Sequence, residues 1–138
     1  MSEQCLIDTN VVLRHLVGDQ PDHARAVAEL FRASDRGDLI LVLLPAVLCE
    51  CVFVLQSFYE LPRSRIADAL RQFVQTYDIE LTDCDIHLDA LNRYAASKLH
   101  FVDCVLAAYA KTQARPLATF DAGIGKFGDV RILNPLTL

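Results

Sequence analysis

The chain has 138 residues, enough for one domain with its own core and too few for two. A hydrophobic content of 53% against 22% charged residues excludes a disordered tail or a fibre. Thirteen basic residues against 18 acidic ones give a formal charge of −5. That balance excludes a wholesale basic coat for nucleic acid, though not a local basic patch.

Cys5-Leu6-Ile7 reads as a short strand ending at Asp8-Thr9-Asn10. Val11 to Val17 is a short helix closed by Gly18, and Pro21 opens a second one with Ala24, Val27, Ala28 and Phe31 at helical spacing. Gly37 follows its end. Leu39 to Leu44 has the length and apolarity of a central strand. Pro45 then sits in the first turn of a helix that runs to about Tyr59. Pro62 starts another, with Ile66, Leu70, Phe73, Val74 and Tyr77 on one face, and Ile79 to Leu81 is a brief strand. Asp83 or Asp85 caps a helix carrying Leu88, Leu91 and Ala95, and a further helix spans about Val102 to Gln113. Pro116 to Phe120 and Val130 to Leu133 are late strands. Strands separated by helices predict a single α/β domain over 1–138 with a mainly parallel sheet, helices on both faces, and a ligand crevice beyond the carboxyl ends of the strands.

Five cysteines lie in apolar runs and form no C-x-x-C pair, which predicts buried structural thiols in a reducing compartment. The start MSEQCLID lacks the basic and apolar segments of a signal peptide. The longest apolar run, Leu39 to Cys49, is broken by Pro45 and is too short to span a bilayer. A soluble, cytoplasmic protein is expected.

Four acids demand an explanation. Asp8 and Asp121 each follow a strand, where an open sheet places its ligand, although turns and helix caps also favour Asp there. Glu50 is mid-helix, with Ala46, Val47, Phe53 and Val54 as its neighbours at helical spacing. No Lys or Arg within a turn can pair with it, and burial of an unpaired carboxylate costs several kcal/mol. Asp103 repeats the pattern among Val102, Cys104, Leu106 and Ala107, with a helix N-cap as its alternative role. Four carboxylates on one rim repel one another unless a cation is present. Hard oxygen donors select Mg²⁺ or Mn²⁺, and such an ion supports in-line attack on a phosphodiester. Without these four, 14 acids face 13 bases, so the excess negative charge is expected to be mostly this site. Arg14 and Lys126 are candidates to grip phosphate; Phe120 and Phe127 are candidates to stack bases, although apolar residues in such places are more often core.

Ile7-Asp8-Thr9-Asn10, Glu50 in an apolar helix, Phe101-Val102-Asp103 followed by Ala107-Ala108, and Thr119-Phe120-Asp121 together resemble the PIN-domain nucleases. The length resembles the VapC-type toxins of bacterial toxin–antitoxin pairs. The resemblance implies a three-layer α/β/α sandwich with a parallel sheet of four or five strands. It also implies Mg²⁺- or Mn²⁺-dependent cleavage of RNA, a homodimer, and inhibition by a small antitoxin protein. By match, Asp8 and Asp103 are the principal metal ligands, Glu50 and Asp121 complete the acidic pocket, and Asn10 and Thr119 are supporting hydrogen-bonders. Ala122-Gly123-Ile124-Gly125 stand where some members carry a further acid, which favours one firm metal site. Two other readings compete. An aspartyl-phosphate phosphotransferase with Asp8 as nucleophile needs an acid at Asn10 and leaves Glu50 unexplained. A catalytically silent module that binds RNA or protein leaves the four-acid set unexplained.

Overall fold

Two short parallel pairings organise the chain. In the computed structural model, which describes residues 2–138, β1 (Glu3–Leu6) pairs with β2 (Leu39–Val42), Glu3 opposite Leu39 and Leu6 opposite Val42. A parallel pair needs a long crossover, supplied by α1 (Thr9–Val17) and α2 (Pro21–Asp35). The chain divides into two compact units, the first ending at Thr82 and the second running from Asp83 to Leu138.

In the first unit β2 is the central strand, as expected. Its second edge meets Glu80, whose N–H donates to the Leu41 carbonyl and whose carbonyl accepts from Leu43 N–H, each at 2.9 Å. The expected strand Ile79–Leu81 is thus one bridging residue rather than an element. Pro21 and Pro45 occupy first turns, where a missing N–H breaks no helical bond; Pro45 opens α3 (Pro45–Ser57). Gly18 ends α1 at a positive φ of 69°, the left-handed geometry that glycine adopts without strain. Helix α4 (Arg63–Thr76) buries Ile66, Leu70, Phe73 and Val74, the stripe its periodicity predicts. Together with Val12, Leu41, Leu43, Leu48 and Leu55 these side chains form an apolar core.

The second unit pairs α5 (Cys84–Ala95) with α6 (Phe101–Thr112), followed by β3 (Leu117–Ala118), a 3-10 turn at Ile124–Phe127, and β4 (Ile132–Leu133). β3 and β4 are parallel, with Leu117 opposite Ile132. Pro116, which has no N–H, precedes β3 and a turn at Asp121 follows it, so both strands stop at two residues. Parallel pairing was expected; the single sheet of four or five strands is instead two separate ladders, one in each unit. Ala107, Ala110, Ile124 and Val130 form a small core backed by Leu99, Leu117, Phe127 and Ile132.

Asp83 stands at the N-cap position of α5 but does not cap it. Its φ is 51°, and its Oδ2 accepts from the Tyr109 hydroxyl at 2.7 Å. Arg93, with a side chain 9% exposed, donates Nε to Asp89 at 2.9 Å and a two-pronged pair to Asp129 at 2.9 and 2.6 Å. The Arg93 guanidinium also lies 4.9 Å from the centre of the Phe127 ring. Hydrogen bonds from Arg93 hold the Asp129 carboxyl below the usual carboxylate range. None of the five cysteines is in a disulfide; Cys51 and Cys104 are buried and the other three are half-buried. Among the described residues no helix is long and apolar enough to cross a membrane.

His15 lies within an aromatic cluster, 4.5 Å from Phe31, 4.9 Å from Tyr77 and 5.7 Å from Phe73 between ring centres. Burial holds its imidazole below the ordinary 6.5, because desolvation disfavours the charged form. In the unfolded chain His15 gains its proton near 6.5, whereas the folded chain resists it. Stability is therefore full above pH 6.5 and declines as the pH falls through the lower folded value. Between pH 7.5 and 5.5 the melting temperature of the wild type should fall by a few degrees more than that of His15→Phe, which keeps the ring packing. Equal slopes in thermal melts would contradict this account of His15.

Candidate functional site

Asp8 lies just past the end of β1 and caps α1. Its Oδ1 accepts from Val11 N–H at 3.1 Å, and its backbone is extended at φ −93° and ψ 175°. Its ordinary alternative role as a cap is thus real, at a value of about 1 kcal/mol, and it engages only one of the two carboxylate oxygens. Asp121 repeats the device after β3. Its Oδ1 accepts from Gly123 N–H at 2.7 Å, and its own N–H donates to Thr119 Oγ1 at 3.0 Å. Thr119 thus braces the Asp121 backbone. Asn10 is exposed in the first turn of α1.

Glu50 corrects the expectation of burial. It is exposed on α3, beside exposed Ala46 and half-buried Val47 and Val54, with Phe53 67% exposed. The buried face of α3 is Leu48, Cys51, Val52 and Leu55. The burial penalty inferred for Glu50 from its apolar neighbours therefore does not apply. Glu50 and Asp8 nevertheless act on one atom. Burial first, then Glu50, then Asp8, push the Cys51 thiol up to about 12. Asp103 is half-buried in the first turn of α6, where the helix dipole favours an anion; the N-cap position belongs to His100, so Asp103 is no cap.

The four acids are divided two and two, Asp8 and Glu50 in the first unit and Asp103 and Asp121 in the second. Within neither unit, among the described residues, do three His, Cys, Asp or Glu gather closely enough to hold a metal ion. The donor chemistry does suit a hard divalent cation. All four are carboxylates, none is ion-paired among the described residues, and Asp8 and Asp121 each keep Oδ2 clear of hydrogen bonds. Charge corrects a second expectation. The first unit holds 12 of the 18 acids against seven bases, and the second holds six of each, so the excess negative charge is not the four-acid set.

The two expected phosphate grips fare differently. Arg14 Nη1 donates to Asp19 Oδ1 at 3.4 Å and to Tyr59 at 3.3 Å, so that guanidinium already has partners near the C-terminal end of α1. Lys126 is exposed and without an ion pair among the described residues. With Ser97, Lys98, Leu99, Gly123 and Phe127 it lines a cavity of about 360 Å³. Gly123 connects this cavity to Asp121. Lys98 escaped the sequence reading, and its signal was available: it is the basic residue of the short link between α5 and α6, just ahead of Asp103. Phe120 is 69% exposed, whereas Phe127 packs on the core of the second unit.

A Cβ on Gly123 would stand 3.0 Å from Asp121 Oδ1 and 3.2 Å from a Leu99 methyl. Gly123→Ala should therefore displace the carboxylate from the residue-123 N–H. Exchange of that amide should accelerate about tenfold in hydrogen-exchange measurements, the loss of roughly one hydrogen bond, while the Thr119 amide stays protected. Unchanged exchange at residue 123 would mean that the carboxylate is not held as described.

A family model described as PIN domain matches residues 5–130 and so takes in all four acids. No curated protein and no solved structure matches the chain significantly. The α/β architecture with parallel strands agrees with the family match, which points to a nuclease-type function. The match spans nearly the whole sequence, and the chain belongs to the PIN domain family.

Proposed function

We propose that this chain is a Mg²⁺- or Mn²⁺-dependent endoribonuclease that hydrolyses RNA phosphodiester bonds, with Asp8, Glu50, Asp103 and Asp121 as its working carboxylates. The observation that carries the reading is the state of those four groups in a PIN-domain chain: none has a basic partner among the described residues. Asp8 and Asp103 are the principal ligands in this reading, Glu50 and Asp121 complete the set, and one firm ion is expected. When bound, the ion supplies positive charge to the phosphoryl oxygens as the bond is cut.

The chain's own residues supply the rest. Val11 N–H and Gly123 N–H fix the Asp8 and Asp121 carboxylates before substrate arrives, which removes reorganisation from the reaction. Thr119 steadies Asp121 through its backbone. One of the carboxylates accepts the proton of the attacking water. Lys98 and Lys126 hold a neighbouring phosphate beside Asp121. The length of the chain and its match over nearly the whole sequence support a role as the toxin of a type II toxin–antitoxin pair, VapC-like, cytoplasmic, homodimeric and restrained by a small antitoxin.

Asp8→Asn is a clean probe because Asn and Asp cap helices about equally well, so the charge goes and the cap stays. Purified protein should cut RNA with Mn²⁺ and stop with a chelator. Asp8→Asn, Asp103→Asn and Glu50→Gln should each slow cleavage about 100-fold or more, with melting temperatures near the wild type. Cleavage by all three at the wild-type rate would assign the activity elsewhere.

A further inference from the structure

The basic residues of the second unit are unlike those of the first. In the first unit Arg14, Arg25, Arg32, Arg36 and Arg71 have ion pairs; in the second only Arg93 does, and Lys98, Lys111, Arg115, Lys126 and Arg131 have none among the described residues. Three of them, Lys111, Arg115 and Arg131, line one cavity of about 330 Å³ together with Asp129, Ala114 and Pro116. This cavity adjoins the C-terminal end of α6, whereas Asp103 is in the first turn of the same helix. Eight residues separate Asp103 from Lys111, or ~12 Å along the axis.

The simplest explanation of Lys111 and Arg115 is compensation of the helix dipole. A helix C-terminus carries only about half a negative charge, and three cations exceed that need several-fold. The single acid in the wall, Asp129, attracts Lys111 but is also held by Arg93 with two hydrogen bonds, so one carboxylate faces four cations. Like charges drawn into one concavity repel, and an anion relieves the repulsion.

We propose that Lys111, Arg115 and Arg131 form a phosphate-binding exosite that grips the backbone of an RNA substrate at a distance from the carboxylates. Two guanidinium forks match phosphate oxygens in two-pronged geometry, and the lysine adds a point charge. The remaining wall of Ala110, Ala114 and Pro116 has no aromatic or large aliphatic pocket in which an acidic peptide would anchor its side chains. The inference rests on the reading that the chain acts on RNA, and it adds where the strand is held.

Binding of a fluorescent single-stranded RNA, measured by anisotropy in chelator so that no cutting occurs, tests it. Lys111→Gln/Arg115→Gln/Arg131→Gln should bind about tenfold more weakly, and the slope of log affinity against log salt should shrink by about 2, since each phosphate contact on a single strand contributes about 0.7. Arg25→Gln/Arg32→Gln/Arg36→Gln removes the same charge from surface ion pairs of the first unit and should bind as the wild type does. Equal loss in both triple variants would reduce the effect to net charge and overturn the exosite. So would wild-type affinity and slope in the first variant. Loss of poly-glutamate binding with RNA binding intact would overturn it in favour of an acidic protein partner. Wild-type binding that depends on the three residues, without any cleavage in Mn²⁺, would sink the nuclease reading and leave the exosite standing.

Discussion

One backbone N–H on one carboxylate oxygen sets the direction of each strand-end acid. Val11 does this for Asp8 at the start of α1, and Gly123 does it for Asp121 after β3. The arrangement resolves an apparent competition between structural and chemical roles. A cap or turn needs one acceptor, a carboxylate has two oxygens, and the second is left turned to a fixed direction. Had either aspartate been paired with an arginine in the manner of Asp129, both oxygens would be engaged and the charge that draws a cation would be neutralised. The nuclease reading depends on that difference.

The distribution of charge follows the same division of labour. In the first unit most arginines meet a nearby acid on the surface: Arg25 with Asp22, Arg32 with Glu29, Arg71 with Asp68. Exposed pairs of this kind add little stability, typically below about 1 kcal/mol, but they engage most of that unit's basic side chains. In the second unit Arg93 links α5 to the segment ahead of β4, and the other bases stay unpaired among the described residues. A chain that is acidic as a whole therefore keeps its unpaired bases concentrated in one unit, which its net charge alone conceals.

Much of this was legible from the residues. Pro21 and Pro45 marked helix starts because their geometry fits a first turn, and Gly18 marked a stop because the chain there turns left-handed. The central place of β2 followed from its uninterrupted apolar run. What failed has physical reasons. Helix α3 is apolar on almost every side, so no polar stripe distinguished its buried face, and Glu50 itself is the sign of the exposed one. Asp83 looked like a cap, but a partner 26 residues away, Tyr109, took its carboxylate, and no local pattern encodes such a pairing. Arg14 was a candidate to grip phosphate, but Asp19, five residues on, and the distant Tyr59 both meet its guanidinium. The sheet pattern was read correctly as parallel and both late strands were found, but each hydrophobic run is longer than the two residues that pair.

The central claim is that Asp8 and Asp103 are the principal ligands of a divalent metal ion. Electron paramagnetic titration of Mn²⁺ against the intact chain reads this directly, without RNA. A single tight site is predicted in the wild type, and Asp8→Asn and Asp103→Asn should each abolish it. Undiminished Mn²⁺ binding in either variant would contradict the account.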